Sequence, residues 1–258
     1  MTPLITPEQA VGIGFVFTRV IGIFLSFPLL NTSMVPLNIR VLLVVAFSLY
    51  IASLTDIKVS LEGLSVVALT LNILKELLIG FLLGLLVNIF ITAFSYAAEI
   101  ISFFMGITIA NMFDPTFGQI SVLDKLFILI FYLIFFISGV YQIFLAGIVA
   151  SFELFPVYSF SFNDGVFLYI LKKSSQLFIL AFKLAFPFLL VLFITNVVLA
   201  LINRLIPQIM VFIVGLPLQI FLGIASLAIG SAAIVYFAVS VADQTGSSFV
   251  EVIKNIGR

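Results

Sequence analysis

With neither cysteine nor histidine among its 258 residues, the chain lacks the thiolates and imidazoles that build most metal sites and most nucleophile–base pairs. The groups left to do chemistry are a few charges and amides set in apolar sequence. Arg19 lies in the middle of one apolar run, Glu76 opens another, and Glu99 interrupts a third. Asn196, Asn203, Arg204 and Gln208 gather near two prolines, Pro207 and Pro217. Charges in such places can form a proton or ion path, because titratable groups inside a membrane are often functional. The competing reading is ion pairing within or between chains, or long side chains reaching to a polar boundary. A relay needs a succession of titratable groups, and here the acids stand alone, so pairing is preferred. Ser, Asp, Glu and Lys form no cluster at helical spacing either. The expectation is a protein that is not an enzyme and carries no cofactor or metal.

What must hold these groups follows from composition. Hydrophobic residues make up 64% of the chain and charged residues 9%, against roughly 45–50% and about 25% in soluble domains. A soluble core of this length cannot hide that much apolar surface, because a soluble protein needs its charges on its exterior. The chain is read as all-α and membrane-associated, a single unit over residues 1–258 with no linker and no fixed-period repeat. Net charge is zero, which removes the electrostatic case for nucleic acid. No Lys or Arg precedes the first apolar run, so a cleavable signal peptide is not expected.

Along the chain, Val11–Leu30 is long enough to span a membrane, which takes about 20 residues. Arg19 sits at its middle, and Pro28 should end or kink it. Asn31 to Pro36 reads as a turn. Val41–Leu54 and Gly63–Leu74 are short for spans. Lys75-Glu76 then leads into Leu77–Ala98, the best conventional span. It contains Gly80 and Gly84, a G-x-x-x-G spacing that lets helix backbones approach closely. Glu99 is expected to interrupt. Leu126–Phe152 exceeds one span and should bend at Ser138-Gly139. A helix from near Val166 is expected to reach Pro187. Leu205–Ala242 is uncharged and too long for one span, so a hairpin is expected, kinked at Pro207 and broken again at Gly215-Leu216-Pro217. The polar tail Asp243–Arg258 should form a short last helix capped at Ser247-Ser248. So many interruptions suit helix hairpins packed on partner subunits better than an independent bundle.

Five blocks, in order, resemble the FliR/SctT family of type III export-gate subunits. They are Arg19-x-x-Gly22 with Pro28 and Pro36-x-x-x-Arg40; Glu76-x-x-Ile79-Gly80-x-x-x-Gly84; Gly106 with Asp114-Pro115 and Gly118; Ser151-Phe152 with Phe155-Pro156; and Asn196, Arg204, Pro207-Gln208, Val211-Phe212, Gly215 and Pro217. The last block is the most specific. The chain departs from the family at Ser138-Gly139-Val140-Tyr141, where many members carry a triplet ending in Gly-His, and at Glu99, where a small residue is expected.

The resemblance implies a helical channel complex that this chain completes as a single copy together with FliP-like and FliQ-like subunits. FlhB-like and FlhA-like export proteins would stand alongside, in the bacterial inner membrane at the flagellar basal body. Unfolded flagellar export substrates would cross the channel, and the assembled subunits would sit largely above the lipid plane. It also implies that the run Gly106, Ile107, Thr108, Ile109, Ala110, Asn111, Met112, Phe113, Asp114, Pro115, Thr116, Phe117, Gly118 plugs the pore. Read from its residues alone, that run is an ordinary surface loop; with the resemblance, the plug is preferred. Phe103, Phe104, Met105, Met112 and Phe113 could ring a constriction beside it. Arg19, Gly80, Gly84, Asn196, Arg204, Pro207, Gln208, Gly215 and Pro217 are expected to serve helix packing and kinking. The Gly215-to-Gln219 ending looks flagellar, with an injectisome subunit as the alternative. A self-contained secondary transporter is the other rival, but it predicts inverted repeats that the sequence does not show.

Overall fold

A computed structural model of the chain describes residues 6–27, 35–55, 65–108, 122–154, 164–206 and 211–256. Among these residues there is no strand, and eight long helices follow one another: α1 Pro7–Ser26, α2 Leu37–Leu54, α3 Val66–Phe104, α4 Val122–Ile137, α5 Val140–Leu154, α6 Asp164–Leu205, α7 Val211–Ile229 and α8 Ser231–Ile256. Pro28, Pro207 and Gln208 lie outside the described residues. Among the described residues four helices are long and apolar enough to cross a membrane: α1, α2, α3 and Leu168–Leu205 of α6. The number rises to as many as six if the bent pairs α4/α5 and α7/α8 each count as one span. The all-α, membrane-associated class expected from composition is the one observed.

The start of α1 is fixed locally. Thr6 Oγ1 accepts from the Gln9 amide at 3.3 Å while Gln9 Oε1 accepts from the Thr6 amide at 3.0 Å, a reciprocal pair that satisfies two of the first turn's orphan donors. Pro7 occupies the first helical position, where its missing N–H costs nothing, and Glu8 faces the positive end of the helix.

Elsewhere the expected breaks move. Neither Lys75-Glu76 nor Glu99 interrupts α3, which runs unbroken for 39 residues; Lys and Glu are good helix formers, and a charge marks polarity rather than a break. Pro187 does not end α6, and Gly215 and Pro217 lie inside α7. Apolar surroundings favour keeping the helix around a proline, because leaving it would strand further backbone groups without partners. The second break in Leu205–Ala242 falls at Gly230 instead of Gly215-Leu216-Pro217, and there α8 departs from α7 at 62°, a bend and not an antiparallel hairpin; the kink expected at Pro207 lies outside the described residues. The polar tail is the end of α8 and not a separate helix. Ser247 lies inside α8 and donates to the Gln244 carbonyl at 3.1 Å instead of capping. The bend at Ser138-Gly139 is where it was expected, with Gly139 at φ +77° between α4 and α5.

The chain divides into two compact units. The first comprises residues 1–89, 139–173 and 244–258, and the second comprises 90–138 and 174–243. In the first, Phe15, Val16, Val20 and Ile23 of α1 are buried with Ile79, Leu83 and Leu86 of α3. Phe144 stacks on Phe27 at 5.1 Å and meets Phe249 at 4.9 Å, which anchors the end of α8. In the second, Phe94 meets Phe131 at 5.1 Å and Phe237 at 6.1 Å. Large apolar side chains remain exposed along α2 (Leu42, Leu49, Leu54) and α6 (Phe178, Phe182, Phe186, Phe193).

Candidate functional site

In the first unit, Arg19 points from the middle of α1 into the core, where it is wholly buried. Its Nε donates to Glu76 Oε2 of α3 at 2.6 Å, and Glu76 itself is only 3% exposed. Its Nη1 donates to the Ser151 carbonyl of α5 at 2.8 Å and to Ser151 Oγ at 3.2 Å. The guanidinium also stands 4.1 Å from the Phe152 ring centroid. Ser151 Oγ in turn donates a hydrogen bond to the Ile148 carbonyl at 2.7 Å. One arginine therefore ties three helices, and its charge is met by an acid, a carbonyl, a hydroxyl and an aromatic face. Among the described residues no buried side-chain nitrogen or oxygen is left without a partner.

The pair meets because two helix backbones touch. Glu76, Gly80 and Gly84 form one stripe of α3 at four-residue spacing, and Arg19, Gly22 and Ser26 form the facing stripe of α1. A Cβ on Gly80 would be driven into the Arg19 carbonyl oxygen, and one on Gly22 would stand 2.8 Å from the Phe81 nitrogen. A Cβ on Gly84 would collide with the Ile23 carbonyl oxygen and Ser26 Oγ. Only hydrogen at these positions permits the approach. Ser26 Oγ turns back onto the Gly22 and Ile23 carbonyls at 3.2 and 3.3 Å, so the hydroxyl is satisfied inside α1.

In the second unit, α3 ends at Met105-Gly106. Gly106 is buried and left-handed, at φ +77°, with its amide donating to the Phe103 carbonyl at 3.0 Å. Leu216 and Gln219 of α7 pack against it: a Cβ there would sit 3.3 Å from Gln219 Oε1 and 3.6 Å from Leu216 Cγ. Gln219 Nε2 donates to Asn196 Oδ1 of α6. The Met105 side chain lies against Gly223, where a Cβ would come within 2.5 Å of it. Ser95 Oγ donates to Asp124 Oδ1, which ties α3 to α4.

The beginning of the expected plug run is thus seated on α7. Ile107 is half-buried and Thr108 exposed. Ile109, Ala110, Asn111, Met112, Phe113, Asp114, Pro115, Thr116, Phe117 and Gly118 lie outside the described residues. Of the proposed constriction ring, Met105 is buried and Phe103 exposed, the latter edge-to-face with Phe104 at 5.7 Å.

The remaining expected positions are scattered. Arg204 is exposed in the last turn of α6, where a cation favours the carbonyl end of the helix. Gly215 is buried and Pro217 exposed on α7. Glu99 is exposed on α3, so its side chain takes no space from a packed interface within the chain. Arg19 and Glu76 are consumed by each other, the pairing preferred over a relay. Among the described residues no three acids gather as a metal site would need. Sequence reasoning missed Ser151 and Gly22 as Arg19's surroundings, and Gln219 as the partner of Asn196. The 19/22/26 and 76/80/84 spacings were the signal for the first; nothing local signals the second.

A family model described as bacterial export proteins, family 1, matches residues 10–245. A flagellar biosynthetic protein FliR of Aquifex aeolicus is 35% identical over 214 residues, which is 81% of this chain and 80% of that protein. FliR of Bacillus subtilis is 35% identical over 209 residues, 80% of each chain. FliR of Escherichia coli is 28% identical over 214 residues, 81% of this chain and 80% of that one.

Proposed function

The chain belongs to the bacterial export proteins, family 1, and we propose from that footing that it is a structural, channel-forming subunit of the flagellar export gate. Its similarity to FliR proteins over most of its length supports the assignment to the flagellar export apparatus. Its work there is conformational. The run Gly106–Gly118 rests in the pore as a plug, blocks small solutes, and yields to an unfolded polypeptide. FliP-like and FliQ-like subunits cover its exposed apolar faces, FlhB-like and FlhA-like proteins stand alongside, and the gate sits in the bacterial inner membrane at the flagellar basal body.

One observation carries the plug reading. The helix before it ends at a buried left-handed glycine, seated between Leu216 and Gln219 of the most family-specific stretch. A segment rooted this firmly at one end can be displaced and can return. Deletion of Ile109–Gly118 should make the assembled complex leak ions in a planar-bilayer conductance measurement. Conductance equal to that of the intact complex would rule out plugging.

A further inference from the structure

Within the second unit, the end of α3 is held by one stripe of α7, made by Leu216, Gln219 and Gly223 at spacings of three and four. The wholly buried Met105 lies against Gly223, whose missing Cβ makes its space. Gly106 follows it against Leu216 and Gln219. These contacts differ in kind. Packing of apolar groups has no preferred direction, so Met105 and Leu216 by themselves set no register along α7. Gln219 supplies the direction. Its Nε2 donates to Asn196 Oδ1 of α6, which fixes the carboxamide and holds Oε1 against Gly106. Both residues are half-buried, where an amide is costly to leave without a partner.

We propose that Gln219 is the positioning residue of the plug: bonded to Asn196, it sets where Gly106 sits on α7 and so where the run that follows is rooted. The inference rests on the plug reading of that run and names the group that sets its resting place. A run with a fixed root returns to one position after each passage, whereas a root that slid along α7 would return it to several. Two amides suit the task, because each can turn either its oxygen or its nitrogen to the other and together they make one donor–acceptor pair. An aliphatic side chain at 219 would fill the same space but set no direction.

The test places the assembled complex in a planar bilayer for conductance and follows hydrogen exchange of the Phe103, Phe104, Met105 and Gly106 amides in the same complex. Gln219→Met keeps the length and removes the bond. It should raise both the resting leak and the exchange at the α3 end about fivefold, the factor that one ordinary hydrogen bond is worth. Asn196→Asp and Gln219→Glu are isosteric, and in each the remaining amide turns its nitrogen to the new carboxylate, so both should stay within about twofold of wild type. The double Asn196→Asp/Gln219→Glu sets two acceptors face to face and should leak like Gln219→Met. A double no leakier than its singles would overturn the proposal, because size and packing are the same in all three. Unchanged exchange in Gln219→Met would do so too. Raised exchange without a raised leak, in a complex that does leak once Ile109–Gly118 is deleted, would remove the role of Gln219 and leave the plug standing. A deletion that does not leak removes the plug, and this proposal with it.

Discussion

Replacing Arg19 with Met leaves the Glu76 carboxylate, 3% exposed, with no cation beside it. Removing one member of a buried ion pair costs about 3–5 kcal/mol, because the survivor keeps its desolvation penalty and loses its counterion. Glu76→Leu should cost a similar amount by taking the carboxylate from a buried guanidinium that also bonds to Ser151 and faces the Phe152 ring. The double variant Arg19→Met/Glu76→Leu removes both charges together. A buried pair repays its desolvation only in part, so the double should lie within about 2 kcal/mol of wild type, with part of that residue from the lost bonds to Ser151. The two singles sum to about 6–10 kcal/mol, so the cycle should show a coupling of at least about 4 kcal/mol. The assay is unfolding of the four proteins in one detergent, read beside a swimming-motility assay. A double as damaged as the sum of its singles would refute the ion pair as the source of the stability. Export lost in Glu76→Gln with unfolding unchanged would refute the structural role and restore a proton path.

Gly80→Ala should destabilise by about 1–3 kcal/mol or more through overpacking, since its methyl meets the Arg19 carbonyl. Gly14→Ala, on the facing helix α1 with nothing within 4 Å of the added methyl, should be neutral or slightly stabilising; unfolding midpoints that do not separate the two would contradict backbone contact at Gly80. Gly106→Ala should cost about 1–2 kcal/mol for a left-handed residue with a Cβ, the space there being tight but open to Gln219; hydrogen exchange at the end of α3 reads it, and unchanged protection would contradict the turn. Glu99→Gln should leave export intact, because the side chain is exposed; lost secretion with normal assembly would reverse that.

Much of the helical outline was legible. Ser138-Gly139 marked the bend between α4 and α5, because a positive φ is cheap only without a side chain. Gly80 and Gly84 marked a close approach, though not to which helix. The breaks at Lys75-Glu76, Glu99, Pro187 and Gly215-Leu216-Pro217 were misplaced for one reason. Each residue was judged by what it does to an isolated helix in water, where an interrupted backbone can bond to solvent. In apolar surroundings the uninterrupted helix is the cheaper solution, and the chain keeps it. At the candidate site, Gly106 and Asn196 were named in advance, while Gln219 was named only as part of a motif and not as the residue that bridges towards both.

Composition alone determined that this chain is greasy, since transfer free energies add residue by residue and need no knowledge of neighbours, and long apolar runs whose backbone groups must bond to one another made it helical. The family motifs lie in the sequence as well. Only the tertiary structure decided what the charges do. Arg19 finds its acid 57 residues away and its carbonyl 132 residues away. No local spacing encodes such a meeting; the ion pair exists because three glycines let α1 and α3 close to backbone contact, and α5 joins through the Arg19 bonds to Ser151. The same sequence with bulkier residues at those glycines would be equally apolar, and its buried arginine would have no counterion.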